Sequence, residues 1–237
     1  MSEKSSIAIV GLGGIFPGAD TLDDFWKTIV SGTSMARDVD ADRWILSADD
    51  AYDPETGAPD KVYSKRGCFI DQLPELPADG LAIAPELVAA LDPAHRLLLA
   101  AGHQAFYSAE VAKLDRAKVG LVIGNLALPS EKSSALTREY FGRILEEKVL
   151  GKSTLAEEDA THPLNRYVAG LPGGVLAKAL GLGGGSVTLD AACSSSLYAV
   201  KLAVDELQSG RADAMLAGGL SRPDCLYTQM GFSQLRA

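Results

Sequence analysis

The sequence predicts an α/β domain in which helices pack on a β-sheet. Apolar runs of strand length lie at Ile7–Val10 and Lys118–Gly124, and each is followed by a longer stretch with helical spacing of apolar residues. Residues 186–217 continue as strand, helix and strand, which is typical of a βαβ crossover between parallel strands. This alternation of short strands and helices favours a layered α/β architecture.

The first predicted elements are a strand, a glycine loop and a helix. We expect Ile7–Val10 to be a buried strand, because it is continuously apolar and ends at Gly11. Thr21 suits the N-cap of a helix that runs to about Ser31, and Gly32 suits its C-terminal stop.

An irregular segment and a long helix come next. From about 35 to 85 aspartate and proline are frequent, so we expect a surface insertion with one or two short strands, one of them at 67–70. Asp92 is well placed as the N-cap, and Pro93 as the first residue, of a helix that ends near Ala109.

The remaining elements lead to the most regular pattern of the chain. A buried strand is expected at 118–124, and helices are expected over about 130–150 and 172–181. The βαβ pattern then consists of a strand at Ser186–Asp190, a helix at Cys193–Gln208 and a strand at Ala212–Ala217. No repeat or low-complexity linker divides the chain, so residues 1–237 are predicted to form one domain with the insertion at about 35–85.

Composition disfavours several classes of function. The chain has 237 residues, 47% of them hydrophobic, and acidic residues outnumber basic ones 31 to 22. A net charge of −9 gives no general reason to bind nucleic acid or an anionic membrane. No apolar run is long enough to span a membrane, and the first residues lack the apolar segment of a secretory signal. Because the three cysteines form no disulfide framework, we expect a cytoplasmic protein.

Cys193 is the strongest candidate for catalysis. It lies where a predicted strand gives way to a helix, and the unpaired N–H groups and positive dipole there favour a thiolate over a thiol. The same N–H groups can hold a thioester oxygen as it becomes an oxyanion, so one turn supplies nucleophile and electrophilic assistance. From the residues alone, a buried structural cysteine remains the alternative. Ser194, Ser195 and Ser196 are expected to satisfy the helix N-terminus instead.

The other motifs favour structural roles. The loop Gly11–Gly14 suggests a dinucleotide fingerprint, but Phe16 takes the place of its third glycine, so a tight packing turn is expected. His95 and His103 lie about 80° apart around one helix, which does not make a metal pair, and no metal site is predicted. Structural roles are also expected for Cys68 and Cys225.

A longer pattern adds a family resemblance. Asp190–Leu197, with the sequence DAACSSSL, resembles the active-site segment of β-ketoacyl synthases. The resemblance extends along nearly the whole chain, and its motifs together are similar to the ketosynthases of polyketide and polyunsaturated fatty acid synthases. The further matching motifs lie at residues 7–18, 25–26, 91–99, 203–213, 217–220 and 231–237.

The resemblance implies a fold, a reaction and a nucleophile. The fold would be thiolase-like, with helices packed on a mixed sheet, and this chain would form its first, N-terminal half. The reaction would be decarboxylative Claisen condensation of acyl and malonyl-type units carried on the phosphopantetheine of acyl carrier protein, with no cofactor bound directly. Cys193 matches the family's nucleophile, which carries the acyl chain as a thioester and whose backbone N–H contributes to the oxyanion hole.

The resemblance also implies partners. They are acyl carrier protein, the C-terminal half of the ketosynthase domain and a second copy in a homodimer. The C-terminal half carries the family's catalytic histidines, and His95, His103 and His162 do not correspond to them. Because those histidine motifs are absent from these residues, a non-catalytic scaffold that binds carrier protein is the alternative function.

Overall fold

A computed structural model describes residues 6–109, 114–153, 161–222 and 225–236. Its strands are β1 (Arg37–Asp38), β2 (Arg66–Gly67), β3 (Val119–Asn125), β4 (Ser186–Leu189) and β5 (Ala214–Leu220). Its α-helices are α1 (Leu22–Ser31), α2 (Ala48–Ala51), α3 (Pro85–Ala90), α4 (Pro93–Ser108), α5 (Glu131–Thr137), α6 (Arg143–Leu150), α7 (Leu171–Leu180), α8 (Ser195–Gln208) and α9 (Leu226–Leu235). Among these helices, none combines the length and apolar character needed to cross a bilayer.

A three-stranded parallel sheet lies at the centre, in the order β4-β3-β5. Every residue of β3 is buried, as expected of a strand that has neighbours on both sides and helices on both faces. The chain passes from β4 through α8 to β5, so the predicted crossover is confirmed, with β3 between its two strands. The strands β1 and β2 pair antiparallel in a separate two-stranded sheet. The mixed sheet that the resemblance implies is therefore not found in the central sheet, whose described strands are all parallel.

Helices cover the two faces of this sheet. On one face α4 and α7 pack together and against the sheet, and on the other α8 lies across β3 and β5. The interior of the first layer contains the fully buried side chains Leu99, Leu121, Leu176 and Leu180. These contacts confirm the α/β prediction.

Capping residues determine where the helices begin and end. The Thr21 hydroxyl accepts a hydrogen bond from Asp24 N at 3.2 Å, and Gly32 ends α1 in the left-handed conformation with φ of 65°. Asp92 caps α4 ahead of Pro93, as predicted. The helix expected at 130–150 is present as α5 and α6, joined by a π-helical turn at Arg138–Gly142.

The prediction of a buried strand at Ile7–Val10 is wrong. This segment has no regular secondary structure and pairs with no strand among the described residues, and the Ile9 side chain is 82% exposed. The glycines that follow lie against α4, because a Cβ at Gly11 or Gly13 would overlap the backbone of that helix. The loop is therefore a close-packing segment, as expected, but it packs on a helix.

The insertion at 35–85 has a small core of its own. The strand expected at 67–70 is shorter than predicted, since only Arg66–Gly67 pairs with β1. The segment nonetheless buries a second apolar cluster around Trp44, and Leu226 of α9 completes it. The members of this insertion cluster are Val39, Trp44, Ala51, Val62, Phe69 and Leu226.

Candidate active site

Cys193 lies in a tight turn between β4 and α8. A 3₁₀ turn at Ala192–Ser194 leads directly into the helix, and the Cys193 side chain is exposed. Ala192 has φ of 50°, a left-handed conformation that a residue with a Cβ rarely adopts. Such a conformation costs about 1–3 kcal/mol and persists only where neighbouring contacts enforce it.

Two side chains enforce the conformation of this turn. The Asp190 carboxylate accepts from Ala192 N through Oδ1 and from Ala127 N through Oδ2, each at 2.9 Å. The buried Ser195 hydroxyl donates to the Ala192 carbonyl oxygen at 2.7 Å and accepts from Ala191 N at 2.9 Å. Asp190 therefore ties the turn to the loop after β3. Ser195 has a structural role, but it bonds to Ala191 N ahead of the helix, and the Ser194 side chain makes no capping bond.

The polar groups of the turn are a charged carboxylate and an N–H group without an acceptor among the described residues. Hydrogen bonds from the N–H groups of Ala127 and Ala192 lower the pKa of Asp190, so this group is a carboxylate that orients the turn. No described residue accepts from the Cys193 N–H, which leaves it free to bind a substrate oxygen. The N-terminal end of α8 carries a partial positive charge, which stabilises an oxyanion that develops beside it.

The turn is held close to the sheet by two glycines. A Cβ at Gly124 of β3 would lie 2.5 Å from the Ser195 carbonyl carbon, and one at Gly219 of β5 would lie 2.9 Å from Ser196 Cβ. Side chains at these positions would push α8 away from the carboxyl ends of the strands. The missing Cβ atoms therefore place Cys193 at the edge of the sheet where ligands of α/β proteins bind.

An open cavity of about 740 Å³ extends from Cys193. Its size and mostly apolar walls suit an apolar ligand. The walls come from the glycine loop, the insertion, the segments after β3 and β5, and α9. Wall residues include Phe16, Cys68, Phe69, Ile70, Leu126, Leu128, Leu220 and Phe232.

Cys68 lies at the same cavity, which its sequence position does not indicate. It is exposed and lines the same cavity as Cys193, although the two are 125 positions apart in the chain. Its position depends on how the insertion folds back over the sheet, and no local motif signals this. Cys225 differs, because its Sγ contacts the Pro129 carbonyl oxygen at 3.3 Å and the Thr228 hydroxyl at 3.2 Å.

The three histidines lie apart from the Cys193 cavity. His95 is buried at the start of α4, and the His103 ring packs on Tyr107 with 4.3 Å between ring centroids. His162 Nδ1 accepts from Leu164 N at 3.3 Å and caps a short 3₁₀ turn. Across the described ranges, no three His, Cys, Asp or Glu side chains come together as a metal site.

Comparison with known families decides the family of this chain. The sequence model "Beta-ketoacyl synthase, N-terminal domain" matches residues 4–237. The chain belongs to the β-ketoacyl synthase family. Polyketide synthase ThaG of Burkholderia thailandensis is 34% identical to this ketosynthase chain over 218 residues, and mycoketide-CoA synthase of Mycobacterium tuberculosis is 33% identical over 223 residues. These matches cover 91% and 92% of the chain but only 4% and 5% of the two synthases.

Solved ketosynthase structures share the fold. The PfaC ketosynthase–chain length factor superposes with a TM-score of 0.84 at 31% identity, over 97% of this chain and 26% of that one. The ketosynthase from module 6 of the bacillaene synthase of Bacillus subtilis superposes with a TM-score of 0.70 at 26% identity, over 96% and 34% of the two chains. The thiolase-like fold expected from the sequence is thereby confirmed for this N-terminal portion of a ketosynthase.

Proposed function

We propose that Cys193 is the acyl-accepting nucleophile of a condensing enzyme that joins acyl and malonyl-type units by decarboxylative Claisen condensation. The observation that carries this proposal is the exposed Cys193 in an enforced turn at the N-terminus of α8, open to a cavity of about 740 Å³. Membership of the ketosynthase family supports the same reaction class. Acyl groups would arrive as thioesters on the phosphopantetheine arm of acyl carrier protein.

In the first step, the Cys193 sulfur attacks the carbonyl carbon of the acyl thioester. The carbonyl electron pair moves to oxygen, and in this proposal the Cys193 N–H donates to the oxyanion; the absence of a described acceptor for that N–H supports this role. Collapse of the tetrahedral intermediate breaks the bond to the phosphopantetheine sulfur. That sulfur leaves with the proton that the Cys193 thiol gave up, so the step is neutral overall.

In the second step, the bound malonyl-type unit loses carbon dioxide. The electron pair of the broken C–C bond stays on the α-carbon, which attacks the carbonyl carbon of the Cys193 thioester. A new C–C bond forms, the C–S bond breaks, and the released thiolate takes a proton from solvent. We assign the hydrogen-bond donors that stabilise the carbanion to the C-terminal half of the ketosynthase domain.

Exposed apolar side chains support the proposed partners. Leu197 and Tyr198 of α8 are more than half exposed beside the nucleophile turn, where the C-terminal half would cover them. A second copy in a homodimer and acyl carrier protein are the further partners that we propose. The three cysteines are free thiols, which supports a reducing, cytoplasmic compartment.

The test is acyl transfer to the complete ketosynthase-containing protein. An acyl-phosphopantetheine thioester should add one acyl group to the peptide that contains Cys193, as mapped by mass spectrometry. Cys193→Ala should abolish this adduct, whereas Cys68→Ser, in the same cavity, should retain it. Labelling at Cys68 alone would refute the assignment, and carrier-protein binding without any acylation would favour the scaffold function.

A further inference from the structure

A second, small cavity lies behind one wall of the Cys193 cavity. Its volume is about 40 Å³. It is bounded by the start of α4, the end of β3, the segment before α7 and the segment after β5. Its polar lining residues include Asp92, His95, Asn125, Asn165, Ser221 and Arg222.

His95 has an unpaired ring nitrogen at this cavity. The residue is only 3% exposed, and Nδ1 lies 3.1 Å from the Asp92 carbonyl oxygen. Because a carbonyl oxygen can only accept, Nδ1 carries the proton and Nε2 of the neutral ring presents a lone pair. Burial lowers the pKa of His95 below its usual 6.5, which keeps the ring neutral near pH 7. Nε2 is buried, and no described residue donates to it.

The Asp92 carboxylate offers a second acceptor. Asp92 is 4% exposed, and its Oδ1 accepts from Ala94 N at 3.0 Å. Its Oδ2 lies 3.5 Å from Lys132 N, at the limit of a hydrogen bond, and so retains capacity to accept. Asn165 Oδ1 accepts a hydrogen bond from Asp92 N at 2.8 Å, and this bond holds the Asp92 backbone at the cavity.

We propose that this cavity is a binding site for one internal water molecule, which donates one hydrogen to His95 Nε2 and the other to Asp92 Oδ2. A buried water needs a cavity of about 10–15 Å³ and two to four polar partners, and this cavity has the volume and a polar lining. Ser221 and Arg222 also line the cavity, and both side chains carry donor groups of the kind that a water oxygen accepts from.

The site connects to the reaction cavity through a shared wall. Residues from the segments after β3 and β5 line both cavities, so the water supports this wall from behind. The shared residues are Leu126, Leu128, Leu220, Ser221 and Arg222. The water would therefore fix the surface on which the acyl chain of Cys193 rests. This consequence depends on the proposed function, whereas the water site itself does not.

The test is a crystal structure of the complete ketosynthase-containing protein at a resolution that shows ordered water. We expect one peak within about 3.2 Å of both His95 Nε2 and Asp92 Oδ2. An empty cavity or a protein donor on Nε2 would overturn the proposal. A peak with the coordination distances and anomalous scattering of a metal ion would also overturn it.

Matched variants test the contact with His95. His95→Gln keeps an acceptor and should retain the water, whereas His95→Leu removes the acceptor and should lose it. His103→Leu, on the same helix outside the cavity, should leave the water in place. An unchanged water in His95→Leu would contradict the proposed contact, and if that variant does not fold, the wild-type and His95→Gln structures decide the question.

Discussion

At the scale of single residues, the Cys193 turn depends on a small number of polar contacts. Ala192 adopts an unfavourable backbone conformation, and the side chains of Asp190 and Ser195 hold the backbone on either side of it. Both side chains bond to backbone atoms, and together they hold the turn that carries the Cys193 sulfur and N–H. Changes at these two residues should therefore affect chemistry more than folding.

Asp190→Asn is expected to slow acylation of Cys193. The carboxylate accepts hydrogen bonds from two backbone N–H groups, one at each oxygen. In the asparagine variant only the amide oxygen can accept, so the amide NH₂ group faces the second backbone N–H. A small displacement of the nucleophile should lower the acylation rate on the order of 10-fold. Single-turnover acylation measures this, with Asp213→Asn as an exposed control on the same crossover. Equal rates for both variants would contradict the positioning role of Asp190.

His95 should make stability depend on pH. Because burial lowers its pKa in the folded state, the unfolded chain binds a proton more readily as the pH falls. The contribution of His95 to the free energy of unfolding is complete above pH 6.5, the pKa in the unfolded chain. It is lost as the pH falls from there to the lower pKa of the folded state. Between about pH 7 and pH 5, wild type should lose more free energy of unfolding than His95→Gln, as measured by denaturant titration. Parallel curves for the two proteins would be the contrary result.

At the scale of elements, the close approach of α8 to the sheet determines the site. Gly124 in β3 and Gly219 in β5 allow the helix N-terminus to meet the strand ends. The helix then presents its positive end, the Cys193 turn and the cavity at one edge of the sheet. The packing of strand on helix thus supplies the electrostatics of the site.

Gly124→Ala should destabilise the protein and misplace the nucleophile. Its Cβ would lie 2.5 Å from the Ser195 backbone, which side-chain rotation cannot relieve. The overpacking should lower the free energy of unfolding by about 1–3 kcal/mol. Gly218→Ala in the neighbouring strand is the control, because its Cβ meets no described atom within 4 Å. Denaturant unfolding compares the two, and similar losses would exclude the close approach as the cause.

The capping residues make the helices predictable from the sequence. Thr21 with Gly32, and Asp92 with Pro93, act on their own backbone, so their effect needs no tertiary context. The segment at Ile7–Val10 was mispredicted because a strand requires a partner, and apolar composition alone does not provide one. The Cys193 turn was predictable as a strand-to-helix junction. The approach of Cys68 to the cavity was not, since it depends on how the insertion folds.

At the scale of the whole molecule, large apolar side chains remain exposed on the described surface. Trp26 of α1 is 64% exposed and Leu197 of α8 is 74% exposed. Surfaces of this kind usually contact another part of the protein or a partner. This exposure is consistent with the proposal that a partner surface covers the face around α8.

Residues 1–237 expressed alone should bind a hydrophobic fluorescent dye more strongly than the complete ketosynthase domain does. Covering the face around α8 removes apolar surface from water, so dye fluorescence per molecule should fall several-fold in the complete domain. Fluorescence titration at equal protein concentration measures the difference. Equal dye binding by the two proteins would show that this face stays open in the complete domain.

The insertion cluster has a consequence for how the chain is made. The members of the cluster from Val39 to Phe69 leave the ribosome early, but Leu226 is synthesised only after all three strands of the central sheet. The nascent insertion therefore has an unsealed apolar surface throughout the synthesis of β3, α8 and β5. The insertion cluster can be completed only after α9 has been synthesised. A translational pause before residue 226 would therefore prolong the exposure of that apolar surface.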